Sequence, residues 1–297
     1  MSDDFVSLVI VETPLQLMCG YEADTRALFI LRLTGRGSND EQIINVANLL
    51  DINYIEVFIP TEKPVLGLFK NLKVIAGLLR NRFKFVYFGS YFSGVNKLLA
   101  RVLRFETCSY LDDGVATLML KDSLAENINI FTFLDVPETN NLKVVRHRFC
   151  KLKEVFRCDG VLGEYFIGQP FVDKNMMTSD EYISYIQDAV ADSASELLYI
   201  PHRVESEGSI ERVSQLDGVK ILRLNVCIEL YFLSKNIMPK KIYSCSSTAL
   251  LTLSILSPST DCVAYIGRDP RIKALPHIDD IISSFEAVDS IKIIDHK

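Results

Sequence analysis

The chain has 297 residues and a mass of 33.6 kDa, long for one domain and sufficient for two that each bury a core of their own. Hydrophobic residues make up 48% and charged residues 24%, proportions that exclude a disordered chain or a fibrous repeat. The net charge of −6 at pH 7 argues against nucleic acid as a partner, because nucleic-acid-binding domains carry a clustered basic excess.

From the N-terminus, short runs rich in β-branched and aromatic residues predict strands at 5–11, 27–33, 54–59, 83–88 and 107–111, each followed by an amphipathic stretch. Pro14 after Thr13 marks a first helical turn, and Ile43, Ile44, Val46, Leu49 and Leu50 give 38–50 one apolar face. Beyond Asp113-Gly114 the pattern predicts short strands at 117–120 and 128–133, then a basic helix over 143–157. Residues 163–170, bracketed by Gly163 and Pro170, read as a linker. The alternation then resumes, with strands at 196–200, 220–224, 241–244 and 262–266 and helices at 179–193, 226–236 and 247–256. The expected architecture is α/β, with two Rossmann-like lobes facing an interlobe cleft, 1–170 and 171–297.

The acidic start, Met1-Ser2-Asp3-Asp4, has no positive segment or cleavage site, so no secretory signal is expected and the predicted location is cytoplasmic. No apolar run approaches the roughly 18 to 20 residues that span a bilayer. Seven scattered cysteines without Cys-x-x-Cys or Cys/His spacing suit reduced thiols, with neither a metal site nor a cofactor expected.

Ligands of open α/β sheets gather outside the carboxyl ends of the strands. Five groups follow predicted strands: Thr13-Pro14-Leu15-Gln16, Asp112-Asp113-Gly114, Pro201-His202-Arg203, Glu229, and Ser244 to Thr248. Adjacent carboxylates repel, and a low-dielectric cleft can turn one of them into a general base. His202 beside Arg203 suits a phosphate, and Ser246, Ser247 and Thr248 open a helix whose free N–H groups attract anions. Each signal also has an ordinary reading: Asp-Asp-Gly as a turn, a serine as a helix cap, Glu229 as an exposed helix carboxylate.

In their order and wide separation these motifs resemble those of bacterial sialyltransferases, the family 52 glycosyltransferases and bacterial polysialyltransferases. That group shares an acidic-acidic-Gly motif, a His-Pro or Pro-His motif and a Ser-Ser motif, with a Thr-Pro-Leu-Gln-like turn near the N-terminus. The resemblance implies a GT-B fold and an inverting, metal-independent sialyltransferase that moves sialic acid from CMP-sialic acid to a bacterial surface glycan. It implies Asp113 as general base with Asp112 orienting it, and Thr13 and Gln16 on the acceptor side. His202 and Arg203 are then expected at the donor phosphate with Ser246, Ser247 and Thr248, and Glu229 at the ribose. His202 is preferred to His277, which lies in a polar, Pro-marked segment.

Expected partners are the donor, a glycan acceptor that includes lipid-linked forms, and a second copy of the chain as a homodimer. Two basic stretches with interspersed apolar residues, 70–84 and 143–157, add anionic lipid at the inner membrane. Alternatives are transfer of another CMP-activated ulosonic acid (Kdo, legionaminic or pseudaminic acid) and a non-catalytic glycan- or nucleotide-binding protein. A dinucleotide-binding enzyme is disfavoured, because Gly35-Arg36-Gly37 follows the second strand and lacks a third glycine.

Overall fold

The computed structural model describes residues 6–122, 127–266 and 278–295. The chain divides into two compact units: residues up to Val155 together with Asn225–Cys227, and Phe156–Leu224 together with Ile228 onward.

The first unit is a seven-stranded, all-parallel sheet of β1 (Ser7–Val11), β2 (Leu28–Leu33), β3 (Tyr54–Phe58), β4 (Arg82–Phe88), β5 (Arg104–Leu111), β6 (Ile128–Thr132) and β7 (Leu142–Arg146). Its order, β3-β2-β1-β4-β5-β6-β7, reverses between β1 and β4. Parallel strands covered on both faces read as unbroken apolar runs, and all five residues of β1 are buried. Helix α1 (Pro14–Ala23) starts where Thr13 Oγ1 accepts the Gln16 N–H and Pro14 occupies the first turn. The connections continue with α2 (Gly37–Leu49), α3 (Pro64–Lys70), α4 (Leu72–Arg80) and α5 (Gly94–Val102). Helix α6 (Cys150–Val155) is tied to α1 by Glu22, whose carboxylate accepts the N–H groups of Cys150 at 2.7 Å and Lys151 at 2.9 Å. An anion over the free donors of a helix start is favourable.

Two expectations fail here. Residues 117–120 lie in a 3-10 helix (Ala116–Asp122) rather than a strand, because Thr117 Oγ1 turns back to accept the Asp113 N–H at 3.0 Å. The basic run 143–157 is no single helix but β7 followed by α6; alternate burial of Leu142 and Val144 marks its first half as strand.

The second unit begins with β8 (Gly160–Val161) and β9 (Glu164–Ile167), followed by α7 (Ser179–Asp192), β10 (Leu197–Ile200), α8 (Glu207–Ser214) and β11 (Val219–Ile221). It continues with α9 (Ile228–Ser234), β12 (Ile237–Met238), β13 (Lys241–Ser244), α10 (Thr248–Leu256), β14 (Asp261–Ile266), α11 (Ile278–Glu286) and β15 (Ile291–Asp295). Six strands form a parallel sheet in the order β11-β10-β9-β13-β14-β15, which reverses between β9 and β13, while β8 and β12 pair separately. The expected linker 163–170 therefore contains the strand that both β10 and β13 pair with. A boundary at residue 170 cuts off this strand. Its four residues are all buried, and the Gly and Pro that read as a linker only punctuate its ends. Glu164, the residue least like a strand core, accepts the Ala194 N–H at 3.0 Å and lies 3.4 Å from Lys240 Nζ.

Candidate functional site

In each unit the expected site residues lie at the carboxyl edge of the sheet, after one strand that flanks the order reversal (β1, β13) and after one that lies a single strand beyond it (β5, β10), the edge where open α/β sheets form their crevice. In the first unit, Gln16 is fully buried behind β1, and its Nε2 donates to Asp113 Oδ1 at 2.8 Å across 97 residues of sequence. Its Oε1 accepts the Glu12 N–H at 2.9 Å, and Thr13 caps the helix that carries it. Gly89, just after β4, leaves room for this amide: a Cβ there would stand 2.0 Å from Gln16 Oε1. The Thr13-to-Gln16 turn and the Asp112-Asp113 pair are thus brought together.

Asp112 departs from expectation as a cleft-facing carboxylate. It is fully buried, with Oδ1 accepting from Thr132 Oγ1 at 2.5 Å and Oδ2 from the Phe133 N–H at 2.8 Å. Both of its oxygens are thus engaged inside the fold. Behind it, the buried His147 ring stacks on Phe131 with centroids 4.5 Å apart and its Nε2 3.7 Å from Asp112 Oδ2. Cys19, Asp112 and His147 bring their ligand atoms within 4.8 Å of one another, a trio the cysteine spacing could not reveal.

Sequence reasoning also missed Glu12, which directly follows β1. Its carboxylate pairs with Arg32 of β2, whose Nη1 also donates to Ser93 Oγ at 3.0 Å. Burial pushes the Glu12 carboxyl up, Arg32 opposes this, and Asp113 adds to the rise. The available signal was an arginine inside an otherwise apolar strand.

In the second unit, His202 and Arg203 follow β10 and Ser246 to Thr248 follow β13. Ser247 is the N-cap of α10, accepting the Ala249 N–H at 3.2 Å, so the ordinary reading of this serine holds and its own O–H still has a proton to donate. His202 Nδ1 accepts the Val204 N–H at 3.3 Å, which assigns the ring proton to Nε2. Burial, then Arg203 and Lys174, push the imidazole down to about 4. The ring is a neutral donor at pH 7. Glu229 is not an exposed carboxylate: it is buried in α9 and accepts from Thr252 Oγ1 of α10 at 2.5 Å. Sequence reasoning missed Glu205, which grips the His202 backbone. His277 lies outside the described residues.

A cavity of about 560 Å³ opens at the opposite, amino end of the second sheet, lined by Asp188, Asp192, Lys241, Asp261, Asp289 and Lys292. None of the expected site residues reaches it.

No protein-family model matches this sequence. No curated protein matches it either. Among solved structures it is similar to the UDP-GlcNAc 2-epimerase of Methanocaldococcus jannaschii in complex with UDP-GlcNAc and UDP, with a TM-score of 0.58 at 12% identity over 97% of this chain and 88% of that one. A putative UDP-N-acetylglucosamine 2-epimerase from Listeria monocytogenes gives 0.57 at 10% identity, over 96% and 89%. A glycosyltransferase from Rickettsia africae gives 0.49 at 12%, over 89% and 80%. With two parallel α/β units, each reversing its strand order behind a cluster of polar residues, the chain has a fold of the GT-B type.

Proposed function

We propose that the chain is an inverting glycosyltransferase that moves sialic acid from CMP-sialic acid to a hydroxyl of a bacterial surface glycan, without a metal ion. The observation that carries this reading is the Gln16–Asp113 hydrogen bond, which joins two motifs far apart in sequence at the switch point of the first sheet. The fold supports a nucleotide-sugar substrate, since a protein of similar fold was solved with UDP-GlcNAc and UDP.

In the reaction, Asp113 accepts the proton of the acceptor hydroxyl as its oxygen bonds to the anomeric carbon of the sialic acid. The bond from that carbon to the CMP phosphate oxygen breaks, and the electron pair leaves with CMP. The growing charge on the phosphate is met by the Nε2–H of His202, the hydroxyls of Ser246 and Ser247, the Arg203 charge and the start of α10. One displacement inverts the anomeric centre. A single phosphate between sugar and nucleoside places no demand on a divalent ion, as a diphosphate leaving group would. Glu229, held by Thr252, is the ribose contact, and Thr13 borders the acceptor while the buried Gln16 holds Asp113 from behind.

A lipid-linked acceptor is supported by α3 and α4, which expose Val65 (64%), Leu66, Phe69 (63%) and Leu72 beside exposed Lys63, Lys70, Lys73 and Arg80. Apolar side chains rimmed with positive charge in a net acidic protein suit an anionic lipid surface. Among the described residues no helix is long and apolar enough to cross a membrane.

A second reading, a nucleotide-sugar 2-epimerase, is favoured by the likeness at a TM-score of 0.58. A donor screen separates the two. CMP released from CMP-sialic acid and accelerated by glycan acceptors, with EDTA present, supports transfer. Release from another CMP-ulosonate alone changes the sugar. Conversion of UDP-GlcNAc with no CMP release from any donor overturns the transferase.

A further inference from the structure

The loop after β10 is held by a chain of hydrogen bonds that the donor chemistry above does not use. Glu205 N–H donates to the His202 carbonyl at 2.9 Å, and the Glu205 carboxylate folds back so that Oε2 accepts the His202 N–H. Its other oxygen accepts the Tyr199 hydroxyl at 2.6 Å. That hydroxyl lies 3.0 Å from the Tyr182 hydroxyl, which accepts the Gln169 N–H at 2.7 Å. Because the Tyr199 proton is committed to Glu205, Tyr182 must donate to Tyr199. Every donor in the chain points the same way, from the end of β9 through α7 and β10 to the carboxylate.

The carboxylate has no second place to go. A Cβ at Gly168 would stand 2.3 Å from Glu205 Oε2 and 2.6 Å from the Tyr199 hydroxyl, so the backbone leaving β9 presses directly on the pair. Burial raises the Glu205 carboxyl to about 7; the bonds from Tyr199 and His202 oppose this, and the charge of Asp173 adds to it. The other titratable groups around it are Tyr199 from β10, Tyr182 from α7 and Cys245 from the turn after β13, all pushed upward. His202 is pushed down to about 4 beside Arg203 and Lys174. Glu205 is the member of this set that titrates near neutral pH.

We propose that Glu205 is a positioning residue for the His202 loop, and that filling the anion site at His202 takes up a proton at Glu205. The inference rests on the donor-phosphate reading. A phosphate near the loop that the carboxylate grips repels a charged Glu205 and leaves a protonated one undisturbed. Below about pH 7 the proton is already present and binding takes up little. Above it, uptake approaches one proton, and affinity falls toward about tenfold per pH unit.

The test is calorimetric titration of the full chain with CMP, inorganic phosphate and cytidine, from about pH 6 to about pH 8, in buffers of different ionisation enthalpy. The expected result is CMP binding whose proton uptake rises with pH, while Glu205→Gln keeps only the proton exchange that the phosphate's own second ionisation at about pH 6 contributes. Tyr199→Phe, which removes a bond that lowers the carboxyl, moves the midpoint to higher pH and serves as the second variant should Glu205→Gln not fold. Wild-type binding without uptake, or unchanged uptake in Glu205→Gln, overturns the coupling. Binding of cytidine as tight as that of CMP, or no binding of either CMP or phosphate, overturns the donor-phosphate reading itself.

Discussion

Gly89→Ala offers the sharpest test of the first unit's site, because its consequence runs through one fully buried side chain. The added methyl would lie 2.0 Å from Gln16 Oε1 and 2.5 Å from its Cδ, closer than any packed carbon tolerates. Gln16 must move, and it then releases the Glu12 N–H and Asp113. Overpacking costs about 1–3 kcal/mol, and a buried donor left unsatisfied about 1–3 kcal/mol, so the variant loses roughly 2–6 kcal/mol. Gln16→Ala breaks the same two bonds but opens space, at about 2 kcal/mol. In the double variant the methyl occupies that space, so Gly89→Ala adds little to Gln16→Ala and the pair couples by nearly the full cost of Gly89→Ala alone, roughly 2–6 kcal/mol. Urea unfolding of the four proteins, followed by circular dichroism, measures the cycle. Single effects that add to within about 0.5 kcal/mol, or a Gly89→Ala protein as stable as the parent, would refute the reasoning.

Asp113→Asn is expected to abolish sialyl transfer while CMP binding stays within about twofold, since the base acts on the acceptor; retained turnover removes Asp113 from the mechanism. His202 is held below its ordinary value, so its contribution to stability is present above about pH 6.5 and is lost as the pH falls toward 4. Between those limits the parent should lose up to about 3 kcal/mol more than His202→Ala, and parallel unfolding profiles would contradict this. Binding to vesicles of anionic lipid should drop at least about tenfold in Leu66→Ser/Phe69→Ser, and equal cosedimentation of parent and variant rules out α3 as the lipid-facing surface.

Much of the fold was legible because parallel strands advertise themselves. β13 was expected at 241–244 and forms with those bounds, and the Thr13-Pro14 start of α1 follows from two residue types whose geometry suits only a helix entry. What escaped were strands too short or too mixed to show a period: β9 hid a buried glutamate between glycines, and β15 was not foreseen. The partnership of Gln16 with Asp113 was suggested by motif order, since no local pattern joins residues so far apart. The carboxylates at 22 and 164, buried, and at 12 and 205, half-buried, were illegible for a related reason. Each is stabilised by donors elsewhere in the chain, such as the Cys150 N–H for Glu22, and a sequence lists acids without their donors. Asp112 was read as the residue that orients Asp113; what its place at a strand end did not reveal is that it is fully buried.

The position of β9 bears on how the second half of the protein can be made. It leaves the ribosome first among the six strands of its sheet, yet both of its neighbours come later. Ile167 waits 77 residues for Ser244, the partner whose hydroxyl it accepts. Until β10 emerges both edges of this short strand are bare, and the edge that β13 covers stays bare for the whole interval, the condition in which strands of different chains join. A recombinant second half that starts at 171 would be worse placed still, since β10 and β13 would then have an empty lane between them that nothing in the fragment can fill. Fragments meant to fold alone should begin before Gly160, and slow translation between β9 and β13 should increase the insoluble fraction.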